Sequence, residues 1–347
     1  MASSVRLPRA DGSIRVHTVG PAADVPAAPG PITSRIGFAA VHVVADPLAD
    51  INPTLDVKLD WDATLAYRRY LWSLGLAVAE AMDTAQRGMG LPWSSARELI
   101  ARTVAEARTV AGAVVFSGAG TDDLLPSPTV TLAQVETAYD AQCGDIESVG
   151  GRIILMASRA LAACARGPED YAKVYGRLLT QVKEPVIIHW LGDMFDPALA
   201  GYWGSPDLDR ATETLLAIVH EHAAKIDGVK ISLLAQHREI AMRRRFPSGV
   251  RMYTGDDFDY PTTIAGDEHG HSDALLADDF DGDGHAFLRQ VLVNRAIRKP
   301  KDAADFRMGA HAHAVCASAF DQLGEFRQQT SVADHRAGAT ITPSKRA

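Results

Sequence analysis

Lys230 stands inside GVKISLL (228–234), with apolar residues on both sides of it. A lysine is seldom fully buried without a partner, and burial lowers its pKa toward the range where the neutral amine attacks a carbonyl. Lys230 is therefore the first nucleophile to consider, since imine-forming enzymes need that depressed value. The competing reading is a lysine that snorkels to a rim or pairs with an acidic neighbour such as Glu80. His189 ends the preceding apolar run, PVIIHW (185–190), next to where Lys230 would project. An imidazole there is a proton shuttle, a metal ligand or a hydrogen-bonded core residue.

Other groups gather at the ends of apolar runs. Glu80, Asp83 and Thr84 lie in AEAMDTAQRG and Asp256 and Asp257 in YTGDDFDY. They offer acid–base groups or hard ligands, or they cap the helices that follow. Gly118, Gly120 and Thr121 in SGAGTDD place flexible backbone where amides approach an anion, or form a plain tight turn. One metal-dependent alternative has Glu80, His189 and Asp256 converging on a divalent ion, with Lys230 as electrostatic stabiliser. Asp279, Asp281, Asp283 and Gly284 imitate the start of a calcium loop, but its twelfth position is Gln290 where a bidentate acid is required. That loop is rejected, and His311 and His313 are read as surface residues.

These groups need elements to position them. SVRL (4–7) and SIRVHT (13–18) flank an Asp11-Gly12 turn and predict a hairpin, followed by the Pro- and Ala-rich linker PAADVPAAPGP. Apolar runs at 37–44, 76–82, 112–118, 152–158, 185–192, 228–234 and 250–255 then alternate with helical periods at 62–75, 92–110, 132–150, 168–182, 207–226 and 237–246. The runs are apolar along their length, as in strands buried on both faces of a parallel sheet. HSDALL (271–276) is the expected eighth strand. No strand ends in the G-x-G-x-x-G of an open dinucleotide-binding sheet, so a closed (β/α)8 TIM barrel is predicted, with its chemistry at the C-terminal strand ends. His42, Asp46, Ser158, Arg159, Ser232 and Thr254 join the groups above in that ring.

Composition limits the partners. The 347 residues are 47% hydrophobic and carry 43 acidic against 35 basic side chains, a net charge of −8. This excludes disordered and disulfide-scaffold classes and argues against holding nucleic acid by its phosphates. Cys143, Cys164 and Cys316 form no Cys-x-x-Cys pair, which fits a reducing cytoplasm. No run approaches the roughly 20 apolar residues of a membrane span or a signal-peptide core, so a soluble, unprocessed cytoplasmic protein is expected.

The order of these motifs over residues 36–276 resembles the dihydrodipicolinate synthase and N-acetylneuraminate lyase superfamily of class I aldolases, and more closely an uncharacterised bacterial family of dihydrodipicolinate synthase-like proteins. FAAVHVVADPLAD occupies the place of the first strand and its Thr-Pro-Phe turn, and AMDTAQRG that of Gly-Thr-Thr-Gly-Glu. FSGAGTDD resembles the third-strand Gly-x-Gly turn, and PEDYAKVYGRLL the helix after the fourth strand. PVIIHW stands for Pro-x-x-x-Tyr-Asn, GVKISLL for the Schiff-base lysine strand, and YTGDD for Ser-Gly-Asp-Asp. The resemblance implies an imine between Lys230 and a 2-oxo acid or related carbonyl substrate, no cofactor, and a homo-oligomer.

Departures carry information too. His189 takes the place of the relay tyrosine, and Asp83 and Thr84 replace the two threonines that support it. His189 is then expected to move protons, with Asp83 and Thr84 orienting it, while Gly118 to Thr121 and Asp256 and Asp257 bind substrate. The family's carboxylate-binding arginine has no match in LGDMFDPALAG. Three regions are expected: a hairpin and linker over 1–35, the barrel over 36–276, and a tail over 277–347 with one helix and a frayed end. The leading function is a class I aldolase or lyase; the alternatives are the metal-dependent isomerase or aldolase and a non-catalytic barrel.

Overall fold

The structure, a computed structural model, describes residues 4–8, 13–18 and 35–278, apart from Pro47, 53–55, Gln86, 88–89 and Asp257. The expected linker, the calcium-like loop, His311, His313 and the helix of the tail lie outside the described residues. Near the N-terminus, β1 (Ser4–Pro8) pairs antiparallel with β2 (Ile14–Thr18), with Arg6 opposite Val16.

Eight parallel strands then close into a barrel. In chain order these are β3 (Ile36–Ala40), β4 (Ala77–Glu80), β5 (Val115–Ala119), β6 (Arg152–Leu155), β7 (Val186–Leu191), β8 (Ile226–Ser232), β9 (Arg251–Thr254) and β10 (Ala274–Asp278). The seam is β10 against β3, with Leu276 opposite Phe38. Between the strands run α1 (Trp61–Ser73), α2 (Trp93–Ala107), α3 (Leu132–Ser148), α4 (Arg159–Cys164), α5 (Pro168–Gln181), α6 (Leu208–Glu221), α7 (Gln236–Arg243) and α8 (Tyr260–Ala265). The predicted TIM barrel is therefore the observed fold. The short α4 and α8 escape sequence periodicity because six residues are fewer than two helical turns.

The eighth strand begins later than the predicted 271–276. Ser272 and Asp273 still donate backbone bonds to Thr263 and Met252, and pairing with β3 starts only at Ala274. Helix starts follow the expected chemistry: Asp60 caps α1, and Thr131 with Gln134 forms a capping box on α3.

Side chains along each strand alternate between two cores. Phe38, Ala77, Ala79, Phe116, Ile154, Ile187, Tyr253 and Leu276 fill the barrel interior, where the Phe38 ring meets Phe116 edge-on at 5.4 Å. Ile153, Ile188, Trp190, Val229, Ile231 and Met252 face the helices instead.

Polar clusters are buried in that outer layer as well. Glu80 accepts from Arg68 Nε and Nη2 at 2.9 Å each, from Thr103 Oγ1 at 2.7 Å and from its neighbour Ala81 N at 2.9 Å. Arg68 also donates to the His42 carbonyl at 2.6 Å, so one ion pair ties β4 to α1, α2 and the loop after β3. Arg68 lies on the stripe Thr64, Arg68, Leu71, Trp72, the face α1 turns to the sheet. Glu239 on α7 accepts from Thr254 Oγ1 at 2.9 Å and Ser272 Oγ at 2.5 Å. Burial pushes its carboxyl up to about 7.

Breaking the first pair by Arg68→Met leaves a buried carboxylate without its cation, and the expected loss is about 3–5 kcal/mol in urea unfolding. Glu239 predicts a pH effect. Its folded pKa lies above the unfolded value, so the stability it contributes is present below about 4.5 and lost as pH rises through about 7. The swing is on the order of 3 kcal/mol, and Glu239→Gln should flatten urea midpoints across that window.

Candidate active site

Lys230 and Ser232 sit two residues apart on β8, so both face the barrel interior, and His189 on β7 lies directly opposite Lys230. Tyr253 is opposite Lys230 on the other side. All three polar residues are buried: Lys230 is 8% exposed, Ser232 3% and His189 1%. Gly228 makes room beneath them, since a Cβ there would strike the Tyr253 ring and come within 2.6 Å of the Arg251 carbonyl. Gly255 does the same beyond β9, where a Cβ would meet Ser232 Oγ and lie 2.7 Å from Lys230 Cε. A side chain at 255 would occupy the space that the lysine stem and the serine hydroxyl need.

His189 Nε2 is 3.3 Å from Ser232 Oγ, and its Nδ1 is buried without a hydrogen-bond partner. Burial, then the positive charge of Lys230, hold the imidazole well below its ordinary 6.5. His189 is accordingly a neutral ring, with a proton on one nitrogen and a lone pair on the other. Asp83, in a 3-10 turn over Asp83–Ala85, has its carboxyl pushed up by burial, opposed by Lys230, Arg87 and Arg159. The turn follows Ala81, whose φ of 53° is a left-handed conformation costly for a residue with a Cβ. β4 ends at Glu80, just before this residue, and Asp83 lies near enough to feel the charge of Lys230.

The structure shows no hydrogen bond from Asp83 or Thr84 to the His189 ring. Ser232 holds the ring, while Thr84 Oγ1 is buried without a partner and the Thr84 carbonyl lies 3.5 Å from His42 Nδ1. Nor does the structure bring together Glu80, His189 and Asp256, the residues of the metal alternative. Glu80 points outward and its carboxylate is occupied by Arg68, Thr103 and the Ala81 amide. Asp256 turns its Oδ1 to the amides of Phe258 and Asp259 at 3.0 Å each, closing the turn before α8. Among the described residues, no three His, Cys, Asp or Glu side chains come together as a metal site.

The glycine turn is also committed within the protein. The Gly120 amide, expected to meet an anion, donates to Gln142 Oε1 at 2.7 Å, and the Gly118 carbonyl accepts from Arg87 Nη1 at 2.5 Å. Thr121 Oγ1 lies 2.6 Å from Ser158 Oγ, and Tyr202 accepts the Ser158 amide at 3.0 Å. Asp257 lies outside the described residues.

Arg87 is the residue that sequence reasoning missed. Its Nη2 donates to Gln142 at 2.7 Å and pairs with Asp122, and its guanidinium lies 4.8 Å from the Trp93 ring centroid. Only its place in the strand-end turn AMDTAQRG hinted at this. Arg159 pairs with Asp196 at 2.5 Å nearby. Each arginine therefore already has a carboxylate partner.

Comparison with known proteins places this geometry. The chain has the fold of dihydrodipicolinate synthase from Aquifex aeolicus, with a TM-score of 0.57 at 13% identity over 83% of this chain and 82% of that one. It is similar to the Acinetobacter baumannii dihydrodipicolinate synthase complexed with pyruvate, with a TM-score of 0.55, 13% identity and coverage of 81% and 82%. The 2-keto 3-deoxygluconate aldolase of Picrophilus torridus gives 0.50 at 13% identity, covering 78% of this chain and 88% of that chain. No curated protein matches the chain in sequence. Residues 5–282 match the family described as "Protein of unknown function (DUF993)", and the chain belongs to that family.

Proposed function

We propose that the protein is a carbon–carbon lyase of the class I aldolase type, with Lys230 forming an imine with a 2-oxo acid or related carbonyl. One observation carries the reading: the inward-facing Lys230 stands opposite a buried, neutral His189 at the C-terminal end of the barrel. An amine and a neutral base on neighbouring strands in a buried interior are the pair that imine chemistry needs. Solved structures with this fold include aldolases and synthases, one of them complexed with pyruvate.

In this reading Lys230 attacks the carbonyl carbon, and the protonated imine draws electrons from the adjacent bond. His189 takes and returns the protons. Asp83 balances the charge of Lys230 from the β4 side.

The test is reductive trapping with cyanoborohydride and a panel of 2-oxo acids beginning with pyruvate. The expected result is a stable mass increase on the peptide containing Lys230, absent in Lys230→Ala. His189→Gln should slow adduct formation about 100-fold, within the usual range for general acid–base groups. If no acid in the panel adds mass, or the mass falls on a different lysine, the imine reading is overturned.

A further inference from the structure

We propose that Ser232 is a positioning residue that fixes which nitrogen of His189 acts as the base; this rests on the imine reading above. The ring has two nitrogens and a single hydrogen bond, from Nε2 to Ser232 Oγ at 3.3 Å. Its Nδ1 is buried with no partner. A neutral imidazole carries its proton on one nitrogen only, and the partner of the other decides which.

A buried N–H without an acceptor is rarer than a buried lone pair without a donor. The favoured arrangement therefore puts the proton on Nε2, donated to Ser232 Oγ, and leaves Nδ1 bare. Nδ1 is then the one atom of the ring free for a reacting group. Ser232 is itself held firmly: its carbonyl accepts from Gly192 N at 2.9 Å, and its hydroxyl occupies the space kept open by Gly255. The same opening holds Lys230 Cε, so the residue that orients the base and the residue that carries the amine share one wall.

The chemistry balances with Nδ1 as carrier. Lys230 begins as an ammonium with three protons. It passes one to Nδ1, and the amine then forms the N–C bond. The C–O bond breaks, and the oxygen leaves as water with two of the three protons, each delivered through Nδ1. The third proton and the positive charge remain on the iminium, and His189 ends neutral. Once Lys230 has given up its charge, one of the two causes that depress His189 disappears, so the ring gains proton affinity while it holds the proton.

The experiment uses the full chain, pyruvate as the probe, and Ser232→Ala beside Ser232→Thr. Nitrogen NMR of the histidine rings, with His189 assigned by His189→Gln, should show the proton on Nε2 in the wild type and in Ser232→Thr. In Ser232→Ala it should move toward Nδ1. Reductive trapping at Lys230 should slow about 10- to 100-fold in Ser232→Ala, as part of a general acid–base contribution, and recover in Ser232→Thr. In a His189→Gln background Ser232→Ala should have no further effect.

A wild-type proton on Nδ1, or an unchanged tautomer and trapping rate in Ser232→Ala, overturns the role of Ser232 while leaving the imine intact. A wild type that gains no mass at Lys230 overturns the imine reading and with it the identity of the base, and the tautomer shift then supports only the hold of Ser232 on the ring.

Discussion

Side chains on a strand alternate between its two faces, and in a closed barrel this sends every second residue into a narrow interior and the rest toward the helices. Lys230, Ser232 and His189 are inward, as is Gly255, so they share the barrel interior with Phe38, Phe116, Ile187 and Tyr253. Glu80 ends its strand on the outward face. A shift of one residue in β4 would bring that carboxylate inside and leave Arg68 buried without its anion. The Arg68–Glu80 pair thus works against register slip at the strand whose end carries Asp83 and Thr84.

The same alternation explains the two polar regions at the strand ends. Inside, the charges are few and close: a lysine, a neutral imidazole, a carboxyl whose pKa burial raises. Outside β9, Thr254, Glu239, Ser272 and Thr263 form a separate cluster that secures α7 and α8 to the barrel. Asp256 belongs to that outer region through the turn it closes and through its effect on Glu239.

Much of the architecture was legible in the sequence. Strands buried on both faces leave uninterrupted apolar runs; the run at 185–192 brackets the observed β7, and that at 228–234 overlaps β8, which begins two residues earlier at Ile226. Lys230 and His189 were visible because a polar residue inside such a run has to be accounted for. Parity was harder to read, because a continuous apolar run carries no in–out signal; Glu80 and Asp256 were therefore placed with His189. Long-range partners were not legible either. Arg87 reaches Asp122 across one crossover and Gln142 on the helix of the next, and Ser232 reaches His189 across a strand pair, distances that local spacing does not encode.

That Lys230 and His189 face one another in the buried barrel interior is tested most directly by following the His189 ring through a pH titration by NMR, in the wild type and in Lys230→Met. The ring should remain neutral to well below its ordinary 6.5 in the wild type, and its midpoint should rise when the charge of Lys230 is removed. An ordinary midpoint near 6.5 that is indifferent to Lys230 would contradict this placement, and the mechanism built on it.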